Sequence, residues 1–159
     1  PDYLVLVNPP SSFPPVRVGQ ISETRAATVF APTYHALQPI GWDALRAPIV
    51  RFVLGERGAA EFGQSDRLHY SHDSTFVAAG LAVLMGARRI FLIGVDFRDH
   101  ADLAERLAAC SSHWSHLVAW CERNGILLRN ASRDSALTSV PRVDLRDLEP
   151  YRRAPWRTP

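Results

Sequence analysis

One stretch constrains the fold more than any other: HDSTFVAAGLAVLMGARRIFLIGVDFRDH, His72 to His100. Asp73 or Ser74 is a good N-cap, and Phe76, Val77, Gly80, Leu81 and Leu84 recur at the spacing of one helical face. Ala78, Ala79 and Gly80 keep that helix slim, so that it can lie close to a sheet. After the GARR that closes the helix, IFLIGVDF has six apolar side chains among eight residues, which predicts a buried strand over Ile90–Phe97. A slim helix followed at once by a buried strand is the unit from which α/β proteins are built.

The same alternation extends along the chain. Tyr3–Val7 is a short apolar run, as expected for a strand covered on both faces. Asn8–Gly19, NPPSSFPPVRVG, carries four prolines and reads as a loop at the carboxyl end of that strand. A short helix is expected over Gln20–Arg25, a strand over Thr28–Ala31, and a loop through PTYHALQPIGW. Strands follow at Pro48–Gly55 and in LHYS, with an exposed connection between them. A long helix over Ala101–Arg123 ends at Asn124-Gly125, and ILLRNAS forms the next strand. A loop, a short helix or turn, and an irregular segment complete the chain. The expected fold is α/β: a Rossmann-like, mostly parallel sheet with helices on both faces, in one domain over residues 1–159 with an irregular basic tail at 150–159.

Length and composition agree with a single globular domain, since 159 residues suffice to bury a core without staples. No apolar run approaches the roughly 20 residues of a membrane span, and no secretory signal is visible, so the expectation is a soluble, cytoplasmic protein without a transmembrane segment. All 18 basic residues are arginine, against 16 acidic ones. They cluster only in YRRAPWR, without a basic stripe interleaved with aromatics, so nucleic acid is not an expected partner. Self-association is left open. Cys110 and Cys121 fall on one helix face about 16 Å apart, too far to bond, and read as core-filling thiols.

Candidate chemistry centres on few residues. Ser74 and Thr75 open a helix, where free N–H groups and the dipole suit a phosphate; the alternative is that Ser74 only caps the helix. Asp96 ends an apolar strand, where a carboxylate either meets a ligand or ties down a loop. Asp96 with Asp99 is a weak signal for a divalent cation, and Cys110, His113 and His116 are a weak one for zinc, so no metal is expected. A histidine beside a phosphate leaving group suits a general base. Asn130 in RNAS matches a glycosylation acceptor pattern but reads as the end of a strand. Walker, G-x-G-x-x-G, G-x-S-x-G and C-x-x-C motifs are absent from the sequence.

Three segments carry a resemblance. LVLVNPPSSF, STFVAAGLAVLMGARRIFLIGVDF and ERNGILLRNASRDSAL resemble, in that order along the chain, parts of bacterial CMP-sialic-acid-dependent sialyltransferases and of the related 6-hydroxymethylpterin diphosphokinase-like proteins. The resemblance implies a nucleotide or its sugar held by Asn8, Pro9 and the Asp73–Ser74–Thr75 turn, with Asp96 and Phe97 bordering the pocket. It implies His113, or less well His100, as the base; in a glycosyltransferase Arg98 would take up charge on the leaving phosphate together with the helix N-terminus. The donor would be a CMP-sugar-like nucleotide sugar, the acceptor a glycan hydroxyl, and no tightly bound cofactor would be needed.

This chain departs from the pattern at several points. Thr75 replaces a glycine and Asp73 a threonine, which puts a negative charge where a phosphate would sit. Arg98, Asp99 and His100 stand where phosphate-holding tyrosines should follow Asp96-Phe97. The family's opening strand and its Gly-Asn-Gly-Pro-Ser loop have no counterpart before Pro1, so the expectation is a domain lacking or truncated at its first nucleotide-binding strand. The readings that follow are a glycosyltransferase, a magnesium-dependent diphosphokinase-like enzyme, or a non-catalytic binding module on the same sheet.

Overall fold

The structure is a computed structural model that describes residues 2–34, 42, 45–58, 62, 63, 67–97 and 103–148. Arg98, Asp99, His100, most of the loop after Pro32, and the basic tail lie outside the described residues. The chain divides into two compact units, Pro1–Gly86 and Ala87–Pro159.

The first unit is a four-stranded sheet. Its strands β1 (Tyr3–Val5), β2 (Thr28–Pro32), β3 (Ile49–Arg57) and β4 (Arg67–Tyr70) pair in that order, and every ladder is parallel. Parallel pairing requires crossovers, and helix α1 (Pro15–Ser22) lies on the one between β1 and β2. Helix α2 (Ser74–Leu84) follows β4.

Side chains alternate along a strand, so each strand supplies both faces. Leu6, Val29 and Ala31 form a buried cluster with Ile21 of α1. Val5, Phe30, Phe52 and Leu54 pack instead against Val77 and Leu81 of α2. Helices therefore cover both faces of the sheet, which is the α/β arrangement read from the sequence.

The second unit repeats the pattern on a smaller scale. Strands β5 (Arg89–Leu92) and β6 (Leu127–Asn130) pair in parallel, and the 21-residue helix α3 (Leu103–Arg123) connects them. Cys110, Trp114, Leu117 and Cys121 form one stripe of α3, and each is 0% exposed. The cysteines are thus core-filling, as their spacing predicts. Burial first, and Glu122 second, push the Cys121 thiol up to about 11, so it stays protonated at neutral pH. After β6 the chain turns back, and Pro141–Val143 runs beside Asn130. Asn130 N–H donates to the Pro141 carbonyl at 2.9 Å, and Val143 N–H donates to the Asn130 carbonyl at 3.1 Å.

Three local expectations are corrected. The proline-rich segment is not all loop, because α1 begins at Pro15 and a single 3-10 turn spans Pro10–Ser12. Proline fits the first helical position, where its missing N–H would have no partner anyway. The helix expected at Gln20–Arg25 therefore starts five residues earlier and ends at Ser22. The strand expected over Ile90–Phe97 stops at Leu92, since Gly94 turns to φ +74° and Phe97 to φ +53°. Gly80 is not a close-packing requirement either. A methyl group there would meet only Leu68 Cδ2, at an ordinary 3.6 Å. Gly80→Ala is expected to stabilise the protein by about 0.5–1 kcal/mol, read as a rise in the urea midpoint, because glycine costs that much in a helix interior.

Candidate functional site

In a parallel sheet the loops at the carboxyl edge are the ones free to build a site. Asn8 and Pro9 follow β1, Tyr34 follows β2, Arg57 ends β3, and Tyr70 ends β4 immediately before the turn to α2. Asn8 is exposed and Pro9 half-buried. The Tyr34 hydroxyl donates to the Val7 carbonyl at 2.7 Å, which ties the end of β2 to the residue preceding Asn8. Burial, and then the neighbouring Tyr70 phenol, hold the Tyr34 pKa above its ordinary value. The Arg57 guanidinium lies over the Tyr70 ring, 5.2 Å from its centroid. Two phenols, a guanidinium and a carboxamide therefore share this edge.

The start of α2 is arranged differently from the phosphate cradle its sequence suggests. Asp73 is the N-cap, and its carboxylate accepts the Phe76 N–H at 2.7 Å. That carboxylate takes up a donor that an anion would otherwise use, and the positive end of the helix dipole is already matched. Ser74 is exposed and Thr75 half-buried. Ser74 is not the cap.

The remaining candidates belong to the second unit. Asp96 is exposed and lies beyond β5 rather than in it. Its backbone carbonyl accepts the Ala136 N–H at 2.8 Å. Phe97 is half-buried and left-handed at φ +53°, a conformation uncommon outside glycine that persists where the surrounding structure fixes it. Two buried serines hold this loop. Val95 N–H donates to Ser132 Oγ at 2.9 Å, and Ser135 Oγ donates to the Val95 carbonyl at 2.6 Å. His113 is half-buried in the middle of α3, whereas the resemblance puts the base just before that helix. Arg98 and His100, the other candidates here, lie outside the described residues.

Among the described residues no cluster of three or more His, Cys, Asp or Glu could hold a metal ion, so Cys110, His113 and His116 do not form a zinc site. No described helix is long and apolar enough to cross a membrane. Asn130 is 0% exposed and closes β6, as its strand-end reading requires.

Sequence reasoning missed Tyr34, Arg57, Tyr70 and the two serines. It also missed a concavity of about 710 Å³ at the carboxyl end of β6, lined by residues that include Arg133, Arg142, Asp144 and Arg146. Arg146 grips Asp144 with Nε at 3.0 Å and Nη2 at 2.8 Å, so its guanidinium and backbone hold the Asp144 carboxyl well below the usual carboxylate range, with Arg133 adding to the effect. Comparison with protein-family models, curated proteins and solved structures gives no match to this chain.

Proposed function

We propose that this protein is a sialyltransferase-like glycosyltransferase, taking a sugar from a CMP-sugar-like nucleotide donor to an acceptor hydroxyl. The observation that carries the reading is the carboxyl edge of the four-stranded parallel sheet, which brings Arg57 and Tyr34 to Tyr70 and ties Tyr34 to the residue before Asn8. The leaving group of such a transfer is a nucleoside phosphate. The Tyr70 phenol O–H and the Arg57 guanidinium are suitable donors for the charge that develops on its oxygen as the bond to the anomeric carbon breaks, while Tyr34, whose O–H goes to the Val7 carbonyl, holds the strand ends in place. Asn8 offers amide donors and an acceptor to the sugar or base. The acceptor hydroxyl forms the new bond to that carbon and gives up its proton to a histidine. His113 and His100 are the candidates for that base by the resemblance alone.

One observation favours a second reading, a non-catalytic module that binds the same ligand. Asp73 already fills the start of α2, so that part of the family's phosphate cradle is closed. Calorimetric titration with CMP, CDP, UDP and a CMP-sugar, with and without magnesium, tests both. The proposal expects CMP-sugar binding without a magnesium requirement, weakened at least about tenfold by Asn8→Ala or Arg57→Gln, the loss of one charge-assisted or orienting hydrogen bond. Binding without release of free sugar or CMP leaves the second reading. If no nucleotide binds, both fall, and a magnesium requirement points to the diphosphokinase-like enzyme.

A further inference from the structure

We propose that the concavity at the carboxyl end of β6 is a second binding site, for a small organic molecule bearing a phosphate group that Arg133 and Arg142 grip. It lies entirely within the second unit and uses none of the residues assigned to the nucleotide donor.

The case begins with the state of the three arginines. Arg146 is committed to Asp144 through both Nε and Nη2. Arg142 is anchored rather than neutralised: Nη1 donates to the Arg133 carbonyl at 3.3 Å, and Nη2 donates to the Ser135 carbonyl. Those bonds use two of its five N–H donors and fix the plane of the guanidinium, leaving three donors and a full charge. Among the described residues the Arg133 side chain has neither a hydrogen bond nor an ion pair. The concavity thus has one positioned guanidinium and one, that of Arg133, without a hydrogen bond; Asp144 beside them is held by Arg146, and the Asp147 carboxylate also lines the space.

Two further features give the ligand its class. A phosphate monoester presents three terminal oxygens and up to two negative charges, against a carboxylate's two oxygens and one charge, so it is the better match for two guanidinium forks at once. A volume of about 710 Å³ falls in the range of small-molecule sites and far exceeds one inorganic ion. Val143 and Leu145 line the same space, and Leu145 is 53% exposed, an apolar surface for the organic part.

The wall behind the site is also unfinished. Asn130, which adjoins Ala131 in sequence and Arg142 across the bridge, is fully buried, yet its Nδ2 has no partner among the described residues. Its orientation is fixed, because Oδ1 must face the Ser132 N–H, 3.0 Å away. The residue that precedes Ala131 and bridges to Arg142 therefore carries an unused buried donor.

The test is a titration of the full ¹⁵N-labelled chain with glycerol 3-phosphate, with inorganic phosphate and glycerol in parallel, followed by amide chemical shifts. Saturable shifts centred on Ser132, Arg133, Val143 and Asp144 are expected, with glycerol 3-phosphate tighter than inorganic phosphate and no response to glycerol. Arg133→Gln, at an exposed side chain with no described bond, should fold normally and weaken binding at least about tenfold. Asn8→Ala should leave this binding unchanged, so failure here and failure of the donor site are separable. The proposal is overturned by any of three results: no saturable shift at these amides, equal affinity in Arg133→Gln, or inorganic phosphate binding as tightly as the ester.

Discussion

Replacing Trp114 with alanine is expected to cost about 3–5 kcal/mol of stability, the largest single loss available on α3. Trp114 is 0% exposed, and Cys110, Leu117 and Cys121 continue its stripe with no exposure at all. α3 packs on β6, whose Leu128 is 1% exposed. Removing the indole takes away the largest apolar body in that interface and leaves a cavity that a helix and a strand cannot close by moving side chains alone. The midpoint of urea unfolding should fall sharply with an unchanged slope, since the surface exposed on unfolding is almost the same. Leu117→Ala should follow at about 2–5 kcal/mol. A loss under about 1 kcal/mol for Trp114→Ala would mean that the stripe is not the packed seam described, because buried aromatic truncations otherwise fall near the upper end of mutational effects.

The shared face of Cys110 and Cys121 was legible from the sequence, because eleven residues is close to three helical turns, whereas Trp114 and Leu117 between them carried no separate signal. The α2 face was legible from the same helical period. What failed locally was the reading of special backbones. Pro14 and Pro15 read as breakers of structure in the sequence, although Pro15 at the first helical position, with Pro14 before it as the N-cap, starts a helix. Ile93 was counted into a buried strand because it is apolar, yet it is 66% exposed, and Gly94 at φ +74° has already turned the chain.

The site was harder to read, for a different physical reason. Tyr34, Arg57 and Tyr70 meet only because the sheet runs in the order β1-β2-β3-β4 with parallel strands, so three separate strand ends share one edge. Strand order is a property of long-range pairing and leaves no local periodicity. Ser132 and Ser135 reach Val95 across 37 and 40 residues of sequence, so nothing near them announces the contact. Asn8 entered through the resemblance, and the strand before it is less fully covered than its apolar run suggests: β1 ends the sheet order and Tyr3 is 51% exposed.

Substituting Ser135 with alanine is the second change expected to have a large effect, about 2–4 kcal/mol, and it bears directly on the Asp96–Phe97 loop. Ser135 is 2% exposed. Its Oγ donates to the Val95 carbonyl at 2.6 Å and accepts the Leu137 N–H at 3.1 Å. Alanine leaves both backbone groups without that partner, in a place that excludes most water, and each stranded group costs about 1–3 kcal/mol. The serine does more than fill space, because Val95 is also held from its other side, its N–H donating to Ser132 Oγ. With that clamp gone, the turn that keeps Phe97 at φ +53° is left with the Ser132 bond to Val95 and the Ala136 N–H bond to the Asp96 carbonyl. The expected signature is therefore twofold: a lower urea midpoint, and faster amide hydrogen exchange at residues 94–97 than the global loss accounts for, since a loop opens locally before the unit unfolds. Ser132→Ala should give the same local acceleration with a smaller global cost, about 1–3 kcal/mol, because it strands a single N–H. Unchanged exchange at 94–97 in both variants would show that the serines do not hold this loop, and the left-handed Phe97 would then need a different cause.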